Sequence, residues 1–383
     1  MVIKKRIFAP GPTPVPEETR QCLAETPPYH RSLQFKDLLN TVRCRLQMIL
    51  NVDWPLLLNS SSGSGAMQQA VHHLVNSGDR VLVVDSGKFG RRWEKLLERR
   101  GCRVLTCRVN RGCAVDPAEI SSMLDKYSDI KAVFATLVET STLVRHPVEK
   151  IGKLLADNPA LFVVDAISAI GAEPLYPLRW NIDVLVGASQ KGLMAPPGIS
   201  FLALSPAAQK RAKEVENPDL YFDINTALDR LNKDGQTPWT PPVELVRALA
   251  VSLQLLFDEG LENVYARHRQ LSALCIGAVC SLGLEVFSQK PARAGTAVLM
   301  PADINAEKLR DLMYCKYNVF LPGGQQELEG RIIRIGHLGY VDYFDLLTVF
   351  SALELALVEL GFNLEPGSAL AAMQREKIKL EGI

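Results

Sequence analysis

The stretch Leu161–Leu204, LFVVDAISAIGAEPLYPLRWNIDVLVGASQKGLMAPPGISFLAL, holds three short apolar runs: Leu161 to Asp165, Asp183 to Gly187 and Ser200 to Leu204. Each is too short for an ordinary helix and is bounded by glycine, proline or small polar residues, so each reads as a buried strand. Working outward toward the N-terminus, Leu56 to Leu58, Val81 to Asp85, Val104 to Arg108 and Ala132 to Ala135 repeat the pattern. Between them, Ser64 to Asn76, Phe89 to Arg99, Pro117 to Tyr127 and Val148 to Asp157 have helical spacing and length. Strands alternating with helices predict an α/β fold whose large domain, residues 16–250, carries a mostly parallel seven-stranded sheet.

Beyond residue 242 the pattern changes. Val243 to Leu256 and Leu261 to Leu282 read as long helices separated by an Asp258-Glu259-Gly260 stop. A smaller α+β domain, residues 251–383, follows, with strands near Thr296 to Met300 and Arg331 to Ile335 and helices near Ala306 to Cys315 and Tyr343 to Leu360. Residues 1–15 read as an N-terminal arm packing beside this small domain or across a partner subunit, and Pro366 to Ile383 as a loosely held helix.

Composition narrows the function. The chain has 383 residues, 47% of them hydrophobic and 22% charged, which suits two domains sharing a cleft and gives no sign of disorder. A formal net charge of +1 with mixed signs leaves no electrostatic footprint for nucleic acid or an anionic membrane, so small molecules are the expected partners. No apolar run reaches the roughly 18 residues of a membrane span, and the N-terminus lacks a signal-peptide core. The expected location is cytoplasmic. Eight cysteines are scattered without a C-x-x-C pair or a metal-like cluster with histidine, as expected of idle thiols in a reducing compartment, and no metal site is predicted.

Open α/β sheets bind ligands beyond the C-terminal ends of their strands, and four features lie there or in the small domain. Asn59-Ser-Ser-Ser-Gly-Ser-Gly65, between a strand and a helix, suits a phosphate through close backbone approach and free N–H groups, though alone it is equally a flexible turn. It lacks the lysine and spacing of nucleotide-binding loops. Asp165 ends an apolar strand; it caps a helix or pairs with a cation such as a protonated ring nitrogen. Lys191, in Gly187-Ala-Ser-Gln-Lys-Gly-Leu-Met-Ala-Pro-Pro-Gly198, is a surface lysine or, in a cleft, an amine activated by desolvation. Arg334, in Arg331-Ile-Ile-Arg-Ile-Gly-His-Leu-Gly339, alternates against Ile333 and Ile335 and is a surface ion-pair residue or a fork for a carboxylate.

These segments, with Ala9-Pro-Gly-Pro-Thr-Pro-Val-Pro16, Gly87-Lys-Phe-Gly-Arg-Arg-Trp93 and Glu139-Thr-Ser-Thr142, are similar in kind and order to class-V aminotransferases of the alanine-glyoxylate and serine-pyruvate type. The resemblance spans nearly the whole chain. It implies a fold-type I pyridoxal-phosphate-dependent transferase with Lys191 holding pyridoxal 5'-phosphate as a Schiff base and Asp165 facing the ring nitrogen. It further implies Ser62, Gly63 and Ser64 on the phosphate, Phe89 and Ile167 on the two ring faces, and Thr140 and Gln190 near the ring hydroxyl and phosphate. Arg334, helped by the backbone at Gly11, would hold the substrate carboxylate. Thr237 and Thr240 match residues offered to the neighbouring subunit's phosphate, implying a homodimer with shared sites. The implied reaction is ping-pong transfer of an amino group from alanine or serine to glyoxylate or pyruvate.

Two departures stand out. Leu143 occupies a position where the family commonly has glycine, and Gln68-Gln69 replace a more usual acid. One rival is a cysteine desulfurase-like lyase on the same fold; such enzymes usually carry histidines where this chain has Gln190 and Phe89. Another is an accessory subunit that keeps the fold within a larger complex.

Overall fold

The computed structural model describes residues 4–216 and 219–382. All seven expected runs are strands of one sheet: β1 (Leu56–Asn59), β2 (Arg80–Asp85), β3 (Arg103–Arg108), β4 (Ile130–Thr136), β5 (Leu161–Asp165), β6 (Val184–Ala188) and β7 (Ser200–Leu204). Their order is β1-β7-β6-β5-β4-β2-β3, and β7 alone runs against its neighbours. The chain leaves β2 outward to β3 and returns to β4 on the other side. That reversal opens a crevice beside the ends of β2, β4 and β5, which is where such sheets take ligands.

The apolar runs are continuous because both faces of the sheet are covered. In β5, Phe162 and Val164 enter one core cluster while Leu161 and Val163 enter another. Phe134, Phe162 and Phe201 are fully buried, each contributing about 1.5–3 kcal/mol by leaving water. Helix α1 (Gly63–Leu74) covers one side through Ala66, Met67, Ala70 and Val71, and α2 (Gly90–Arg99) through Trp93 and Leu97.

Residues α3 (Val243–Glu259) and α4 (Leu261–Ser281) form the two expected long helices, but Asp258 and Glu259 belong to the first of them. Gly260 alone makes the break, with φ 84°, a backbone state open to glycine and strained for other residues. Farther on, β8 (Glu285–Val286), β9 (Gly295–Leu299) and β10 (Ile332–Gly336) form an antiparallel sheet. Its core is shared with α5 (Tyr343–Glu359). The C-terminal segment differs from expectation. It is a packed helix, α6 (Ser368–Glu381), because Ala369 and Met373, four residues apart, are fully buried in that core. Glu354 of α5 accepts from the amides of Gly367 and Ala369 at its start, at 2.7 and 2.8 Å. Ile383 lies outside the described residues.

The arm reaches the same region. Arg6–Ile7 pairs in parallel with Val319–Phe320, Phe8 is buried in the small-sheet core, and Gly336 N donates to Phe8 O at 2.7 Å. Residues 1–3 of the arm lie outside the described residues. Among the described residues no helix is long and apolar enough to cross a membrane.

Candidate active site

Lys191 follows β6 in a loop that closes on itself. Ser189 Oγ donates to Pro196 O at 2.6 Å, Ala195 N to Ser189 O at 3.1 Å and Met194 N to Lys191 O at 3.0 Å. Pro196 and Pro197 stiffen its far end. The arm seals the near side: Thr13 donates from its backbone N to Gln190 O at 3.1 Å and from its hydroxyl to Lys191 O at 3.0 Å. The lysine is buried, and Nζ donates to Pro10 O at 2.7 Å. Gly11 fits here because it lacks a Cβ; one added would stand 2.2 Å from Lys191 Cδ and 2.6 Å from Nζ.

Burial sets the ionisation of the two central groups. It pushes the Lys191 amine down to about 8; the neighbouring Asp165 charge opposes this, while Arg334 and Arg92 add to it. It also pushes Asp165 up to about 7, against the Ile167 amide and the Lys191 charge. Asp165 Oδ1 accepts from Ile167 N at 2.9 Å, in a turn and not at a helix start, which sets aside the helix-cap alternative. A carboxyl this deep with one amide partner suits a cationic ligand group.

Ser62, Gly63 and Ser64 open α1, where Gly65 N turns back to Ser62 O at 2.8 Å while the N–H groups of Gly63 and Ser64 have no partner within the helix. The Ser62 side chain makes no cap bond. Gly63 lies against Ile167, whose Cδ1 would be 2.3 Å from an added Cβ. Ser64 Oγ accepts from Arg92 Nη1 at 2.8 Å, and the Arg92 guanidinium lies 4.7 Å from the Phe89 ring centroid. The helix start therefore also has a cation beside it. Gln190 presents a buried Oε1 without a hydrogen-bond partner.

Phe89 is held by a fully buried acid that the sequence reading did not single out. Glu139 accepts from Phe89 N at 3.1 Å, Gly90 N at 3.0 Å and Ser141 N at 3.1 Å, so one carboxylate fixes the start of α2. Both Glu139 and Arg92 sit inside segments that carried the family resemblance. Their partners, however, are 50 and 28 positions away along the chain, and no spacing rule announces such pairs.

Thr140 and Arg334 meet. Arg334 Nη1 donates to Thr140 O at 2.8 Å and Nε to Gly323 O at 3.0 Å, while Nη2 donates to nothing among the described residues. Thr140 Oγ1 pairs with Ser168 Oγ at 2.6 Å. Ile333 and Ile335 enter the small-sheet core, and Arg334 turns to the other face as its alternation requires. Thr237 and Thr240 stand apart. The Thr237 hydroxyl donates to Trp239 O at 2.8 Å within its own turn, Arg31 Nη1 donates to Thr237 O at 3.0 Å, and Thr240 is exposed.

The two departures have local roles. Gln69 accepts from Asn59 Nδ2 at 2.6 Å and donates to Phe222 O at 2.9 Å, tying the end of β1 to residue 222. Leu143 has φ 57°, the left-handed state that glycine adopts freely, yet its side chain is fully buried.

A buried lysine, a buried acid, a helix start with a cation beside it and an arginine with one nitrogen open to a ligand surround one crevice, an arrangement that suits an enzyme working through a phosphate-bearing aldehyde cofactor. Residues 22–326 match the model of the family "Aminotransferase class-V", and the chain belongs to that family. Its cofactor is pyridoxal phosphate. The chain is 36% identical to the protein named soluble hydrogenase, small subunit, of Synechococcus sp. (strain PCC 6716), over 97% of this chain and 98% of that one. It is 32% identical to serine–glyoxylate aminotransferase of Methylorubrum extorquens, over 96% and 95%. Among solved structures, pyridoxamine-pyruvate aminotransferase from Mesorhizobium loti superposes with a TM-score of 0.94 at 25% identity, covering 99% of this chain and 98% of that one.

Proposed function

We propose that the protein is an aminotransferase moving an amino group from a small amino acid, alanine or serine, to a 2-oxo acid, glyoxylate or pyruvate. The observation that carries this is the buried Lys191 amine, lowered to about 8, beside the buried Asp165 and within reach of the Arg334 charge. Pyridoxal phosphate, when bound, supplies an aldehyde for the amine and an electron sink for the bond broken at the substrate α-carbon.

The residues present fit that group. Ser62, Gly63 and Ser64, reinforced by Arg92, would hold its phosphate; Asp165 would pair with the ring nitrogen; Phe89 and Ile167 would cover the ring faces. Thr140 and Gln190 would lie near the ring hydroxyl and phosphate, the unpartnered Gln190 Oε1 receiving a donor there. Nζ of Lys191, once free, carries the proton away from the α-carbon, which a group with a pKa near 8 does well near neutral pH. Arg334 holds the substrate carboxylate through Nη2, its other nitrogens being fixed by backbone carbonyls. The arm at Gly11 keeps water from Lys191.

The assignment extends to a cytoplasmic homodimer with shared sites, Thr237 and Thr240 serving the partner's phosphate. The apolar side chains of Tyr29, Leu33, Leu220 and Tyr221, 50–79% exposed near or on the segments that carry Thr237, support a covering copy. In this reading residues 16–250 bind the cofactor, residues 251–383 form the small domain and residues 1–15 are the arm.

The test is the visible spectrum of the purified protein with alanine, serine, aspartate or cysteine added singly. Loss of the yellow colour with alanine or serine, and its return with glyoxylate or pyruvate, is the expected result. A protein that cannot be loaded with pyridoxal phosphate overturns the proposal. The name of the Synechococcus relative favours a second reading, an accessory subunit of a larger complex. Under that reading Lys191→Ala leaves the biological role intact.

A further inference from the structure

Arg334, Gly11 and Gln325 line one cavity of about 730 Å³, into which the arm residues Lys5 and Arg6 also face. Gln325 is half-buried, and its Oε1 is fully buried with no hydrogen-bond partner. Leaving such an oxygen unmet costs about 1–3 kcal/mol, so rotation of the amide toward a ligand donor in the cavity is favoured. The neighbouring arginines do not fill that need. Arg310 is committed to Leu321 O at 2.6 Å and to the Glu307 carboxylate, and Arg334 donates through Nε and Nη1 to Gly323 O and Thr140 O, its Nη2 being the nitrogen assigned to the substrate carboxylate.

The loop that carries Gln325 is firmly anchored. Gly324 N donates to Ile332 O at 2.9 Å, and Leu328 is buried in the core of the large sheet. Glu327 pairs with Arg111 at 2.5 Å, and Arg111 with Asp85, the last residue of β2, at 3.0 Å. Gly323 O, two residues before Gln325, takes the Nε of Arg334. The amide and the guanidinium therefore share one rigid frame, and a ligand that meets both loses little to loop ordering.

We infer that Gln325 contacts the side chain of the amino acid substrate and selects a small donor bearing a hydroxyl group over its hydroxyl-free counterpart. This rests on the reading of Arg334 as the carboxylate clamp. With the carboxylate on Arg334, a side-chain hydroxyl donates to Gln325 Oε1. A methyl leaves that oxygen unmet, and a carboxylate sets an acceptor against an acceptor.

The test uses two ligands that lack the reacting amine, 3-hydroxypropionate and propionate, titrated calorimetrically into the cofactor-loaded protein. The hydroxy acid should bind about tenfold more tightly, as one hydrogen bond to a buried acceptor implies, and Gln325→Met should abolish the difference while propionate binding holds. The ratio of kcat/KM for serine over alanine should fall by a similar factor in the same variant. Equal binding of both acids by the native protein overturns the role of Gln325 and leaves the clamp standing. Equal weakening of both acids in Gln325→Met also overturns it, since the residue would then only shape the loop. Failure of either acid to bind overturns the clamp and the inference together.

Discussion

Gly11 stands so close to Lys191 that a Cβ on the glycine would lie 2.2 Å from Cδ of the lysine. Its φ of 124° is also a backbone state that L side chains rarely adopt. Gly11→Ala therefore meets two obstacles at once, strain of about 1–3 kcal/mol and displacement of the lysine. It should lower kcat by roughly 10- to 100-fold, the rate equivalent of that energy. Stopped-flow rates of the amino-acid half-reaction check this. Unchanged rates would show that the arm is loose on Lys191.

The lysine and the acid of the site lean on each other electrostatically, which gives a pH dependence with a definite sign. In the cofactor-free protein the Lys191 amine is lowered to about 8, so its reaction with pyridoxal phosphate should accelerate through that pH and level off above it. Asp165→Asn removes a charge that raises the lysine, and the midpoint should move lower. Arg334→Gln removes one that lowers it, and the midpoint should move higher. Stability follows by linkage. Asp165 is raised to about 7 from 3.8, so the folded state binds the extra proton between those values and stability declines as pH rises through that window. The cost is complete above about 7, where Asp165→Asn should raise the Tm of the cofactor-free protein by about 2 °C or more. Lys191 acts between about 8 and 10.5, where the unfolded state holds the extra proton and stability rises with pH. Thermal melts from pH 4 to 10 on the native chain and Asp165→Asn separate the two contributions.

Leu143 sets backbone strain against packing. Its φ of 57° costs about 1–2 kcal/mol for a residue with a Cβ. Its fully buried side chain, near enough that a Cβ on Gly295 would touch Leu143 Cδ1 at 3.0 Å, is worth about 2–5 kcal/mol. Packing wins, so Leu143→Gly should destabilise the protein by about 1–3 kcal/mol even though it restores the residue common in the family. Urea unfolding measures it. A stabilised variant would mean that the cavity closes when the side chain is removed.

Much of this was legible before the structure, for identifiable reasons. Strands buried on both faces show up as unbroken apolar runs, and all seven runs are strands. Alternation around Arg334 correctly separated it from Ile333 and Ile335. What the runs do not carry is direction: nothing within Ser200–Leu204 marks it as the reversed strand. Nor do they carry contacts closed by the tertiary fold. The three amides gathered by Glu139, the Arg92 bond to Ser64 and the anchoring of Gln325 by Leu328 and Glu327 depend on how separate loops meet. The packing of the tail helix is hard to read from sequence because its two core residues, Ala369 and Met373, make a weak apolar stripe, while the Glu354 carboxylate that anchors it comes from another helix.

Arg334 offers the sharpest division between binding and chemistry. Two of its nitrogens are spent on Gly323 O and Thr140 O, at 3.0 and 2.8 Å, which fixes the guanidinium plane and leaves Nη2 for a ligand. A lysine ammonium at this position is a point charge that cannot meet both carbonyls and a carboxylate in that plane. Arg334→Lys should therefore raise KM for glyoxylate or pyruvate by about 10- to 100-fold, the loss of one or two charge-assisted bonds. The cofactor's absorbance should be preserved, because Lys191, Asp165 and the start of α1 are untouched. Burial already lowers the arginine to about 10; a lysine in the same place starts from a lower pKa and will shed its charge at a lower pH. The KM defect should accordingly widen as pH rises above about 8. A variant whose KM is unchanged, or whose defect is independent of pH, would place the substrate carboxylate elsewhere in the cavity.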